Sequence, residues 1–188
     1  ILTNSEKERG SIIERLLPIQ KEDFIDLFKE MSNLPVTIRL LDPPLHEFLP
    51  NSQQEIQRTA NLMAITEQQL ADRIKGLSEF NPMLGTRGVR LGVMVPEIYD
   101  MQVQAIFLAA IEVFKKYKIV VNPEIMIPLI SANKEVDLVR DRIRQVFSQL
   151  NKNNFVDLKY KLGVMVETPR AALRAVSYTH LTLPTSPK

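Results

Sequence analysis

Short apolar, β-branched runs alternate along this chain with stretches of amphipathic helical pattern, and few architectures accept that order. Val36-Thr37-Ile38-Arg39-Leu40-Leu41 reads as a buried strand ended by Asp42-Pro43-Pro44. Within Gly85 to Val95, the alternation of Val89, Leu91, Val93 and Val95 reads as a second. Glu124 to Ile130 and Leu162 to Val166 read as the third and fourth. Helical patterns fill the intervals. Two precede the first strand, at about Ser11–Leu17 and Lys21–Met31, the latter with Phe24, Leu27, Phe28 and Met31 on one face. Residues 51–61 are polar and read as loop or irregular helix. Thr66-Glu67-Gln68-Gln69 is a capping box ahead of Leu70, Ile74 and Leu77. Pro96 and Glu97 suit a helix start, with Ile98, Met101, Ala105 and Leu108 forming a face behind them. A last helix is expected from Asn133 to Leu150, with Val136, Val139, Ile143 and Val146 inward. Strand and helix in sequence argue for a parallel sheet with crossover helices, either a barrel or a doubly wound sheet.

Composition narrows the chemistry. With 188 residues and 45% of them hydrophobic, the chain is one domain or part of one. A net charge of +2 gives little sign of a nucleic-acid or membrane surface. The absence of cysteine excludes a disulfide scaffold, a thiolate zinc site and a cysteine nucleophile within the chain. No apolar run reaches the roughly 20 residues that span a bilayer. The first ten residues carry no secretory pattern and no initiator Met, so an excerpt of a longer chain is expected. There is no Walker A sequence, dinucleotide fingerprint, His-Glu-x-x-His or nucleophile elbow.

In a parallel α/β fold the chemistry gathers at the C-terminal ends of strands, and polar residues stand there. Arg39 interrupts an apolar strand, where a buried guanidinium needs a partner, and is read as functional. Arg87 and Arg90 are as well explained by pairing with acids on neighbouring helices. Asp42 serves either the site or the turn before Pro43. Glu167, on pattern alone, caps a turn before Pro169 or pairs with Arg170. Arginine forks bind phosphate or carboxylate, and a carboxylate with substrate oxygens is a usual Mg²⁺ environment. His46 lacks a partner at metal or triad spacing and is read as structural. The methionines at 63, 83, 94, 101, 126 and 165 are read as core. These residues indicate an anion site and do not by themselves name a reaction.

Four segments resemble pyruvate, phosphate dikinases. They are Thr37-Ile38-Arg39-Leu40-Leu41-Asp42-Pro43-Pro44-Leu45-His46-Glu47-Phe48-Leu49-Pro50, the stretch Phe80 to Gly92 continued by Pro96-Glu97-Ile98-Tyr99, Glu124 to Leu129, and Gly163 to Ala171. The Leu-Asp-Pro-Pro-Leu-His-Glu-Phe run is the specific one. Two relatives, phosphoenolpyruvate synthase and enzyme I of the sugar phosphotransferase system, differ there. Thr86 stands where many relatives have His. The resemblance covers about residues 10 to 176. It implies an α/β fold, a partial (β/α)₈ TIM barrel of about strands two to five preceded by helices, from the phosphoenolpyruvate/pyruvate-binding domain.

What the resemblance further implies is a phosphotransferase. The barrel binds Mg²⁺ and pyruvate or phosphoenolpyruvate and exchanges a phosphoryl group with a phosphohistidine on another domain. Overall, ATP, pyruvate and phosphate interconvert with AMP, phosphoenolpyruvate and diphosphate. Arg39 and Arg87 would hold the phosphoryl group. Glu167 would bind substrate through the metal, as one of two carboxylate ligands of Mg²⁺. The second carboxylate, the proton-donating Cys and the phosphohistidine would lie outside this chain, so the chain alone is expected to be inactive. The nucleotide and phosphohistidine domains, a homodimer and a cytoplasmic location are implied for the parent, with no nucleic acid or membrane. The alternatives are one of the two related phosphotransferases or a non-catalytic paralogue. The family pattern stops after Ala175. Residues 177–188 are read as a non-family tail that resembles a translated sequencing adapter, with about the last dozen residues expected to be poorly packed.

Overall fold

A single helix, α1 (Glu6–Glu30), takes the place of the two helices expected before the first strand. Pro18 lies inside it, where it removes one backbone donor and normally ends a helix. Packing overrides that local cost. In the computed structural model, which describes residues 6–44, 49–77, 84–154 and 158–178, α1 lies along a second long helix, α5 (Pro96–Tyr117). Ile25 and Phe28 are buried in the core, with Phe24 and Met31 packed against it. Ion pairs mark the seam: Arg9 with Glu97 at 3.0 Å, and Lys21 with Glu112. Lys29 then sits 5.5 Å above the Tyr117 ring. Since 9, 21 and 29 meet 97, 112 and 117 in that order, the helices run parallel.

Glu112 is held by both Lys116, at 2.5 Å, and Lys21. The Lys116 and then the Lys21 hydrogen bond bring its pKa down from 4.5 to about 2. A depressed folded-state value means that this carboxylate stabilises the fold above pH 4.5 and ceases to do so as pH falls toward 2. The unfolding temperature is therefore expected to drop across that window, and Glu112→Gln should flatten the drop.

Three parallel strands follow the order β1 (Val36–Arg39), β2 (Pro123–Ile127), β3 (Lys161–Val164). Ile38 is level with Ile125, and Ile125 with Leu162. Between β1 and β2 come α2 (Gln53–Leu62), α3 (Glu67–Leu77), α4 (Gly88–Met94) and α5. Between β2 and β3 comes α6 (Asn133–Asn154). The short α7 (Pro169–Leu173) and a 3₁₀ turn (Ala175–Tyr178) close the described chain. The capping box at Thr66 forms as expected, with Gln69 N donating to Thr66 Oγ1 at 3.2 Å and Thr66 N to Gln69 Oε1 at 3.1 Å. Residues 51–61 hold a regular helix, for Ser52 and Glu55 make a second capping box.

The stretch read as a second strand is α4. Its buried residues are Gly88, Val89, Leu91 and Gly92, which is the i, i+1, i+3, i+4 spacing of a helix. The apparent alternation came from apolar residues shared by both periods. The described residues thus hold three strands rather than four.

One face of the sheet carries the core. Val36, Ile38, Ile125, Ile127 and Leu162 are buried with Val103, Ile106, Ala110, Val136, Val139 and Ile143. Phe107, Phe147 and Tyr160 form an aromatic triangle with centroids 4.9–5.2 Å apart. The other face departs from the fully buried strands expected. Thr37 and Arg39 alternate as exposed residues. Glu124 accepts from Thr37 Oγ1 and from Lys161 Nζ, both at 2.8 Å. The same alternation puts Met126, level with Arg39, out of the core. Among the methionines read as core, Met101 is buried, Met63, Met126 and Met165 are half-buried, and Met94 at the end of α4 is exposed. His46 and Met83 lie outside the described residues. So does the tail from 179 onward, while Tyr178 is buried.

Candidate functional site

Arg39 ends β1, and the chain beyond it is fixed from two sides. Leu40 N donates to Met126 O at 2.9 Å, prolonging the sheet. Leu41 N donates to Gln102 Oε1 at 2.7 Å, while Gln102 Nε2 donates to Arg39 O at 3.4 Å. Gln102 projects from α5 and is buried, 4% exposed. Its amide replaces backbone pairing where the strand ends. Gln102→Leu leaves the Leu41 donor without that partner and is expected to cost about 1–3 kcal/mol, read as a lower denaturant midpoint.

This clamp delivers Asp42 to the interior, with its side chain 2% exposed. Arg87 comes to meet it from the residue before α4, in an extended conformation (φ −138°). Its Nε lies 2.7 Å from Asp42 Oδ1 and its Nη2 2.8 Å from Oδ2, a two-bonded fork. Nη2 also donates to the Asp42 carbonyl at 3.3 Å. Arg39 Nη1 stands 3.9 Å from the same Oδ2, its side chain 49% exposed. Arg39 is thus a half-exposed guanidinium on the sheet face opposite the core, not the buried arginine that the apolar run suggested. Arg90, the other arginine of the motif, donates to Gly85 O at 2.9 Å.

Glu167 reaches the cluster through the backbone. Gly88 adopts φ +54°, and Val89 N donates to Pro128 O at 3.1 Å. Leu129 is itself left-handed at φ +58°, a conformation that strains an L side chain and gathers at functional sites. That turn aims Leu129 N at Glu167 Oε1, 2.7 Å away. Thr168 Oγ1 donates to Ile130 O at 2.7 Å and accepts from Ala171 N at 3.1 Å, capping α7. Glu167 therefore serves a neighbouring strand end rather than its own turn. Arg39, Asp42 and Arg87 form one cluster, and Glu167 joins it by way of Leu129 and Gly88.

Sequence reasoning had no place for Gln102 or Tyr99. Tyr99 packs its ring on Gly92 and is buried, its hydroxyl without a hydrogen-bond partner. Burial first, and the Asp42 charge second, push its pKa far above the usual phenol value. The described residues contain no group of three His, Asp or Glu placed to hold a metal. A lone carboxylate at a strand end suits Mg²⁺ only where substrate oxygens complete the coordination, and Glu167 is exposed enough to serve in that way.

Residues 2–180 match the family described as PEP-utilising enzyme, PEP-binding domain. The pyruvate, phosphate dikinase of Rhizobium meliloti (strain 1021) is 47% identical over 175 residues, which is 93% of this chain and 20% of that protein. The Clostridium symbiosum protein of the same name is 43% identical, and that of Giardia intestinalis 42%, over the same shares. The chain spans about a fifth of the length of these curated relatives.

Proposed function

The chain belongs to the PEP-utilising enzymes through their PEP-binding domain, and from that premise we propose that it is the phosphoenolpyruvate/pyruvate-binding segment of a pyruvate, phosphate dikinase, part of a β/α barrel. The observation that carries this reading is the Arg87–Asp42 fork with Arg39 beside it, tied through Leu129 to Glu167, at the ends of parallel strands. The parent enzyme would convert ATP, pyruvate and phosphate to AMP, phosphoenolpyruvate and diphosphate.

Arg39 and Arg87 would bind the phosphoryl group as it leaves a histidine nitrogen for the pyruvate oxygen, neutralising its charge without reorganising. Glu167, oriented by the Leu129 amide, would hold Mg²⁺ with its carboxylate. When bound, that ion supplies charge stabilisation for an enolate oxygen. The chain contains no cysteine, so a thiol acid for the enolate carbon would come from another part of the enzyme, as would the phosphohistidine and the nucleotide. On its own the chain would therefore be inactive. A cytoplasmic homodimer is the proposed parent. No helix among the described residues is long and apolar enough to cross a membrane.

The test is made on the full-length protein that carries this segment. AMP and diphosphate should form from ATP only with both pyruvate and inorganic phosphate present, and chelation of Mg²⁺ should abolish turnover. AMP formation without a need for phosphate would indicate a phosphoenolpyruvate synthase. Phosphoryl transfer from phosphoenolpyruvate to a protein without nucleotide would indicate an enzyme I. No turnover under any of these conditions would indicate a non-catalytic paralogue.

A further inference from the structure

We propose that Asp42 is the positioning residue of this site, a buried carboxylate that sets the Arg87 guanidinium and spaces Arg39 from it so that the pair receives a phosphoryl group. The inference rests on the reading of Arg39 and Arg87 given above and goes beyond it. Asp42 is 2% exposed, whereas Arg87 is 17% and Arg39 49% exposed. The carboxylate thus lies behind the two cations, away from any anion that enters. Its two oxygens take the Nε–Nη2 edge of Arg87, which fixes both the plane and the direction of that group. Oδ2 also faces Arg39 Nη1 at 3.9 Å, so one negative charge reduces the repulsion of two guanidinium groups held on neighbouring segments.

The carboxylate is itself held from three sides. Gln102 fixes the backbone just before it. Arg87 Nη2 grips its carbonyl oxygen at 3.3 Å. Gly88 stands so close that an added Cβ would lie 3.2 Å from Oδ1. A group needed only to end a strand would not require burial, a two-bonded fork and a glycine opposite. A misplacement of about 1 Å in such a group can cost about 10²-fold in rate.

The experiment uses the full-length protein. Asp42→Asn keeps the shape and loses the charge and the fork. It is expected to lower kcat/KM for phosphoenolpyruvate by about 10²-fold while leaving the KM for pyruvate near its parent value, because the arginines meet only the phosphoryl group. A merely structural role would lower kcat/KM for phosphoenolpyruvate and raise the KM for pyruvate as well. In an Arg87→Lys background, which already lacks the fork, Asp42→Asn should add little. An equal loss in both backgrounds would show that the carboxylate acts independently of Arg87 and overturn the proposal. If Arg87→Lys alone left phosphoenolpyruvate kinetics unchanged, the phosphoryl role of Arg87 would fall, and the positioning role with it. If Asp42→Asn does not fold, Asp42→Glu retains the charge and displaces the fork by one methylene. The same selective loss is then expected, and parent kinetics would overturn the proposal.

Discussion

Gly88→Ala is expected to destabilise the protein by about 2–5 kcal/mol, enough to remove much of the margin of an ordinary domain. Two costs add. At φ +54° an L side chain meets its own backbone, at about 1–2 kcal/mol. The new Cβ would also stand 2.7 Å from Leu129 Cβ and 3.3 Å from Pro128 O. Neither neighbour can yield cheaply. Pro128 O accepts the Val89 amide, and Leu129 is buried and positions Glu167. Relief would therefore come by separating α4 from the end of β2, which moves Arg87 off Asp42. The denaturant midpoint should fall and activity with it. Gly10→Ala is the control. An added Cβ there meets nothing within 4 Å, and in a helix interior the change should stabilise by about 0.5–1 kcal/mol. An equal effect of the two substitutions would show that the close approach at Gly88 is not what holds the segment.

The same glycine shows where the sequence could be read and where it could not. Short apolar runs marked β1, β2 and β3, because those segments bury one continuous apolar face against α5 and α6. Thr66 and Gln69 marked a helix start, since a capping box depends only on residues close in sequence. The segment 85–95 failed because Val89, Leu91 and Val93 satisfy a two-residue period. The helical signal lay in Gly88 and Gly92, four apart, one facing Leu129 and the other Tyr99. Those partners are about 40 and 7 residues away in sequence, so no local pattern announces them. The expectation of two helices before β1 failed for a related reason: a long seam with α5 outweighs the one donor that Pro18 lacks. In the site, arginine identity pointed to Arg39 and Arg87, but the burial argued for Arg39 depended on the second face of the sheet, where Thr37 and Arg39 are exposed. Glu167 was legible as a carboxylate at a strand end, not as the acceptor of an amide 38 residues earlier. Gln102 was illegible, for a glutamine on an amphipathic helix resembles a surface residue until the strand end it clamps is placed.

Arg87→Ala in the full-length protein should lower kcat/KM for phosphoenolpyruvate by about 10²–10³-fold, the usual loss for one donor aimed at developing charge. Stability must be separated from that loss. Truncating Arg87 removes the fork from a carboxylate that is 2% exposed and leaves it to Arg39 at 3.9 Å. Stranding a buried charge in this way costs about 3–5 kcal/mol, so the single variant could lose activity merely by unfolding. The pair of changes Arg87→Ala with Asp42→Asn resolves this. Neutralising the stranded group should recover most of the unfolding temperature, because a neutral amide is far cheaper to bury than an unpaired carboxylate. Activity should not return, since the cation that meets the phosphoryl group is still gone. Recovery of both together would mean that Arg87 serves the fold alone, and the anion would then have to be held by Arg39 and by residues beyond this segment.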